Sequence, residues 1–253
     1  MNEAPLLYNV VDHTATLTIN RPEKRNALSA ETISQLVARL DQAAADDDVR
    51  VVLITGAGEK AFCAGADLGG GVGGKGTAEY ATLLKRLAAF PKPTMARVNG
   101  YCLAGGMGIM LACDLVIARE DAQFGTPEVN VGLWPMMIGA LIYRNMLPKQ
   151  AAEMVFLGQR FGADEAYRMG FVTRVVETAV FDQTIHDITH QLAAKSPIGM
   201  KIGKEAFYAM VGMPFAEAVD YLSGKLAEVA ATEDAAAGVA AFMEKREPVF
   251  KGK

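Results

Sequence analysis

The chain has 253 residues, 51% of them hydrophobic, with 29 acidic against 25 basic side chains and a formal net charge of −4. That length buries a substantial core in one large domain or a domain plus an appendage, and the composition is that of a globular enzyme. An acidic balance without a basic run interleaved with aromatics argues against nucleic acid as a partner, though an anionic small molecule needs only a few local cations.

The opening "MNEAPLLYNVV" lacks a basic stretch ahead of an apolar one, so no secretory leader is expected. "YNVVDHTATLTIN" alternates about a polar centre and reads as a hairpin. "SAETISQLVARLDQAAAD" starts on Ser29 and spaces Ile33, Leu36, Val37 and Leu40 as one helical face. Asp46-Asp47-Asp48 reads as a solvated loop rather than a metal site, and "DVRVVLITGAG" as a buried strand ending in a glycine turn. The tract from Gly69 to Gly76 contains a GxGxxG match, and a P-loop match that fails where Gly76 replaces Ser or Thr. A phosphate loop leaves a strand directly and enters a helix, whereas here "AFCAGADL" intervenes, so the tract reads as flexible chain ahead of a helix over 77–90.

"PKPTMARVNG" then predicts a strand, "AGGMGIMLACD" a buried helix and "LVIARE" another strand, an α/β succession. The apolar run from Cys102 to Cys113 is too short to span a bilayer. Cys63, Cys102 and Cys113 form no CxxC, which predicts buried, reduced thiols in a cytoplasmic protein. From about residue 150 helices dominate, and the division expected is an α/β body over 1–180 and a helical, Ala-rich region over 181–253. His186 and His190 share a helix face, but "HDITH" lacks the Glu of a zinc hydrolase and no third ligand follows, so no metal site is expected.

Two turns and one carboxylate remain. "FCAGADL" and "VNGYCLAGGMG" each set small residues where a turn enters a helix, a pattern suited either to tight packing or to two amides aimed at one oxyanion. In "TPEVNVGLWP", Glu128 has apolar neighbours, which raise a carboxyl pKa toward the range useful for proton transfer; a solvated loop glutamate is the alternative.

Taken in order, "RPEKRNALS", "VVLITGAGEKAFCAGADL", "PTMARVNGYCLAGG", "LACDLVIAREDAQFGTPEVNVG", "FLGQRFGADEAYRMGFVTRVV" and "FMEKREPVFKG" resemble the crotonase superfamily, the enoyl-CoA hydratase/isomerase family, almost end to end. The resemblance implies a β-β-α spiral with two sheets and a C-terminal helical trimerisation region, assembled as a homotrimer or dimer of trimers. It implies an acyl-CoA substrate, no membrane partner and no cofactor beyond the coenzyme A moiety. The oxyanion donors fall on the backbone of Ala66 and Gly105, and the adenine lies along Ala64 to Leu68, including Asp67. Lys24 and Arg25 lie where the phosphates of CoA are met, and Lys245 where a neighbour's CoA is reached. The glycine tract then lies beside the acyl pocket and does not bind phosphate.

One departure decides the chemistry expected. The family's hydratases use two glutamates; Glu128 matches the second, but the first falls on Gly108. Glycine holds no proton, whereas moving a double bond between C3 and C2 needs one base, so the expectation is Δ3,Δ2-enoyl-CoA isomerisation through Glu128. Hydration with a substitute acid/base group, and CoA-thioester binding without catalysis, are the alternatives. A second departure is "LWPMMIGALIYRN", where Trp134, Met136, Met137 and Ile138 are expected to narrow or reshape the acyl pocket beside Gly108.

Overall fold

The computed structural model describes residues 4–67 and 75–253. The hairpin forms as expected, β1 (Leu6–Val11) antiparallel to β2 (Thr14–Ile19). Ser29 caps α1 (Ala30–Ala45): its Oγ accepts the Thr32 amide at 3.1 Å, satisfying one of the donors a helix start leaves open. The chain continues through β3 (Val51–Gly56), β4 (Ala61–Cys63), α2 (Lys75–Ala88), β5 (Thr94–Val98), β6 (Tyr101–Leu103) and α3 (Gly105–Leu111). It goes on through β7 (Leu115–Arg119), β8 (Gln123–Gly125), a 3-10 turn over Pro127–Val131, α4 (Met136–Asn145), α5 (Pro148–Leu157), β9 (Arg160–Gly162), α6 (Ala163–Arg168) and β10 (Arg174–Val176). Helices α7 (Phe181–Ala193), α8 (Pro197–Met210), α9 (Phe215–Ala230) and α10 (Glu233–Glu244) complete it.

Strands β3, β5 and β7 are each followed by a short strand that joins a different sheet, and then by a helix. A six-stranded sheet runs β1-β2-β3-β5-β7-β10, parallel from β2 onward, and a four-stranded one runs β4-β6-β8-β9. This is the β-β-α spiral the family resemblance implied. Side-chain alternation explains how the large sheet serves two layers. Val52, Ile54, Ala96, Val98, Val116 and Ala118 point into the main core with Phe62, Leu83, Met107 and Phe124. Their neighbours Leu53, Met95 and Ile117 point to the opposite face, where Phe181, Ile185 and Ile188 of α7 cover them.

The glycine tract falls at 69–74 outside the described residues, and Lys75 and Gly76 open α2. Among the described residues no helix is long and apolar enough to cross a membrane.

Candidate active site

The small sheet organises the site. β4, β6 and β8 lie side by side and parallel, so their C-terminal ends face one direction. Each of them runs straight into one of the turns singled out in the sequence.

After β4, residues 64–67 lie against the segment following the Lys24–Arg25 turn. The Ala64 amide donates to the Arg25 carbonyl at 3.0 Å, Leu28 N–H to Gly65 O at 2.8 Å and Asp67 N–H to Leu28 O at 2.9 Å. Gly65 has φ +101°, and a Cβ there would sit 2.7 Å from the Ala104 Cβ and 3.3 Å from the Gly105 nitrogen. The turn therefore takes a conformation open to glycine, and its lack of a side chain lets the second turn approach.

After β6, Ala104 adopts φ +49° while its amide donates to Gly125 O at 2.9 Å, and α3 begins at Gly105. Gly106 lies against the backbone of Cys63, leaving no room for a Cβ and holding α3 onto β4. The Ala66 and Gly105 amides make no hydrogen bond among the described residues. Two free donors on touching turns are what an oxyanion requires.

After β8, buried Thr126 donates its hydroxyl to Met154 O at 3.3 Å and leads into the 3-10 turn that carries Glu128. Asn130 ties that turn to Gly158 O at 3.1 Å, and the Glu128 carbonyl accepts Leu133 N–H at 3.0 Å. The Glu128 backbone is thus fixed on both sides. Its Oε2 is buried without a hydrogen-bond partner among the described residues, and burial raises its pKa above the ordinary glutamate value.

Gly108 is buried in α3, and the space beside it is filled. A Cβ there would overlap the Tyr80 hydroxyl and lie 2.5 Å from Ile138 Cγ2 and 3.3 Å from Leu84 Cδ2. Of the residues expected to reshape this pocket, Ile138 comes against Gly108, and Met137 packs half-buried on the main core. Trp134 packs on Phe156 with ring centroids 5.6 Å apart, and Met136 is 73% exposed.

Tyr80 escaped the sequence reading. It is buried on α2 and donates its hydroxyl to Gly105 O at 2.5 Å. The available signal was its place on the apolar stripe with Leu83, Leu84 and Leu87, where a polar tip needs a partner. Burial above all, with Cys63, Cys102 and Glu128 pushing the same way, keeps its phenol protonated well past the usual tyrosine range.

Lys24 and Arg25 are exposed beside the first turn, and the Arg25 guanidinium lies 6.0 Å from the Tyr101 ring. Asp67 bonds Arg21 through its carboxylate at 2.7 Å. Leu68 lies outside the described residues. Lys245 follows α10 in a left-handed conformation, exposed, on the C-terminal helices rather than on the sheet ends that carry the turns. All three cysteines are buried and unpaired, and burial pushes the Cys63 thiol up to about 12. The His186 and His190 rings stack 6.2 Å apart on α7, and among the described residues no three His, Cys, Asp or Glu side chains gather as a metal site.

Residues 11–253 match the family model described as enoyl-CoA hydratase/isomerase. The chain is 37% identical to a carnitinyl-CoA dehydratase of Escherichia coli over 248 residues, 94% of each chain. It is 33% identical to a short-chain-enoyl-CoA hydratase of Clostridium acetobutylicum over 246 residues, 92% of each. Among solved structures, an enoyl-CoA hydratase from Bacillus anthracis superposes with a TM-score of 0.94 at 31% identity, covering 98% of this chain and 100% of the other. One from Mycobacterium smegmatis gives 0.93 at 33%, covering 98% and 99%. With sequence matched over nearly its whole length, and the same spiral in its fold, this chain belongs to the enoyl-CoA hydratase/isomerase family of enzymes, the crotonase superfamily.

Proposed function

We propose that this enzyme shifts the double bond of an enoyl-CoA thioester between C3 and C2, with Glu128 as the only proton shuttle. The observation that carries the reading is the pairing of Glu128, whose Oε2 is buried and has no hydrogen-bond partner among the described residues, with a position 108 that has no side chain and no space for one.

The thioester carbonyl oxygen lies between the Ala66 and Gly105 amides. Glu128 takes a proton from C2, the C2–H electrons move toward the carbonyl, and the dienolate oxygen gains charge where the two donors point. The proton then returns at C4, leaving the double bond at C2–C3 and Glu128 ionised as before. A raised pKa suits a carboxylate that must accept a carbon-bound proton and release it again. Each oxyanion donor is worth on the order of 10²–10³ in rate.

The adenine of CoA runs along 64–68, its phosphates meet Lys24 and Arg25, and no cofactor beyond the CoA moiety takes part. Lys245 serves a neighbouring copy in a homotrimer or dimer of trimers. Exposed Phe207, Val211, Phe215, Leu226, Val239 and Phe242 on and between α8, α9 and α10 support an assembly buried through these helices. Three free, buried cysteines fit a cytoplasmic enzyme.

Hydration is the second reading, favoured by relatives named hydratase and dehydratase. Mass-resolved turnover of a trans-2-enoyl-CoA and, separately, its 3-enoyl isomer distinguishes the two. Interconversion at constant mass, reduced by roughly 10²–10⁴ in Glu128→Gln, is expected. A dominant product heavier by one water would sink the isomerase reading.

A further inference from the structure

We propose that Tyr80 is the specificity-determining residue of this site: its hydroxyl fills the volume that a side chain at position 108 would need and keeps water from beside Glu128. The inference rests on Glu128 being the proton-transferring group.

Three observations converge. The phenol is fixed, because it is buried on α2 and donates to Gly105 O at 2.5 Å. It is placed against the right face of α3, since its oxygen lies 3.5 Å from where a Gly105 Cβ would be and overlaps that of Gly108, one helical turn on. It has no slack, because Ile138 and Leu84 close the remaining sides of the Gly108 position. Glu128 is among the groups that hold the phenol protonated, after burial and the Cys63 and Cys102 thiols.

Removing the hydroxyl would clear one oxygen from beside Gly105 and Gly108, an opening that becomes wide enough for a water as the Ile138 and Leu84 side chain ends give way. The second lone pair of the Gly105 carbonyl, freed of the phenol, and Glu128 Oε2 would both accept from whatever enters. Polar partners and room are the two conditions for a bound water. Such a water can be added to a 2-enoyl thioester without a second carboxylate. Its O–H proton passes to Glu128, its oxygen bonds C3, and the C2–C3 π electrons move to the thioester oxygen. Glu128 then returns that proton to C2, giving the 3-hydroxyacyl product. Conversely, Gly108→Glu alone should not bring hydration, because Tyr80 already holds the space.

The test compares the native chain, Tyr80→Phe, Gly108→Glu and the Tyr80→Ala/Gly108→Glu pair. Each is checked for a cooperative melt and for CoA-thioester binding, and the ratio of hydrated to isomerised product is measured for both enoyl-CoA isomers. Tyr80→Phe should raise that ratio at least tenfold and the double variant further, while Gly108→Glu alone, with no room beside Tyr80 and Ile138, should lose turnover of both isomers without gaining hydration. A ratio that stays level or falls in Tyr80→Phe, or loss of both reactions there, overturns the proposal; so does a gain from Gly108→Glu alone. If the double variant does not fold, Tyr80→Phe decides by itself. A native chain that hydrates faster than it isomerises would instead sink the isomerase reading, and the direction of the Tyr80→Phe change would still judge Tyr80.

Discussion

Glu128 sits in the kind of place where function and stability pull apart. Its carboxylate is half-buried with Oε2 unpartnered among the described residues, and burial outweighs the bond from its own backbone amide, so the folded state holds its proton more tightly than the unfolded chain does. Below the ordinary glutamate range both states are protonated and burial costs nothing extra. As pH rises through the raised folded value, the native enzyme loses stability that a neutral Gln at 128 would keep. Thermal melts between about pH 4 and 7 should therefore show Glu128→Gln gaining on the native chain as pH rises, then levelling off. A difference that is flat with pH would mean the carboxylate is solvated. Gly65 carries the opposite constraint: at φ +101° and with Ala104 Cβ in the way, Gly65→Ala should lower stability by roughly 1–3 kcal/mol and weaken thioester turnover. Glu128 was visible in the sequence as an acid between Pro127 and an apolar run. Tyr80 was not, because what makes it matter is a contact with Gly108 across 28 positions of chain, and no local pattern encodes that.

Among elements, the long ones were legible and the short ones were not. A sixteen-residue helix such as α1 repeats its apolar face four times, and Ser29 marks its start. The strands β4, β6, β8 and β9 have three residues each, too few for alternation to register. The second sheet, which bears every turn of the site, was therefore expected only through the family resemblance. The C-terminal helices are joined by a polar lock that periodicity does not reveal. Asp234, 1% exposed at the start of α10, accepts from the Ser196 hydroxyl at 2.7 Å ahead of α8, and from the Lys251 and Gly252 amides at 2.7 and 3.0 Å. Burial pushes its pKa up, but those donors outweigh it and leave the group below the ordinary aspartate value. Its stabilisation is thus present above that range and lost as pH falls through the depressed value. Asp234→Asn turns an amide donor toward groups that are themselves donors, and should cost roughly 1–3 kcal/mol in urea denaturation near neutral pH, less in acid.

For the molecule as a whole, the C-terminal helices of the single chain carry large exposed apolar residues. Phe215 is 86% and Phe242 81% exposed in the single chain. If copies assemble through this face, light scattering should report a multiple of the 27.0 kDa chain, and Phe215→Glu/Phe242→Glu should shift it toward the monomer. A native chain that runs as a monomer would remove the assembly, and with it any reach of Lys245 into a neighbour's site.

The two free amides follow strands β4 and β6, which are hydrogen-bonded neighbours in the small sheet. Parallel neighbours lie about 4.8 Å apart, a spacing fixed by the peptide group itself. One oxygen gripped from two sides at about 2.9 Å needs its donors about that far apart. On the reading proposed above, the grip on that oxygen is made of backbone, and it depends on Gly65 leaving room for the Ala104 turn. On that reading, mutation at 108 or 128 would change which atom gains or loses a proton and leave the two backbone donors in place. A lineage built on this spiral can thus trade one reaction for another without having to rebuild its anchor.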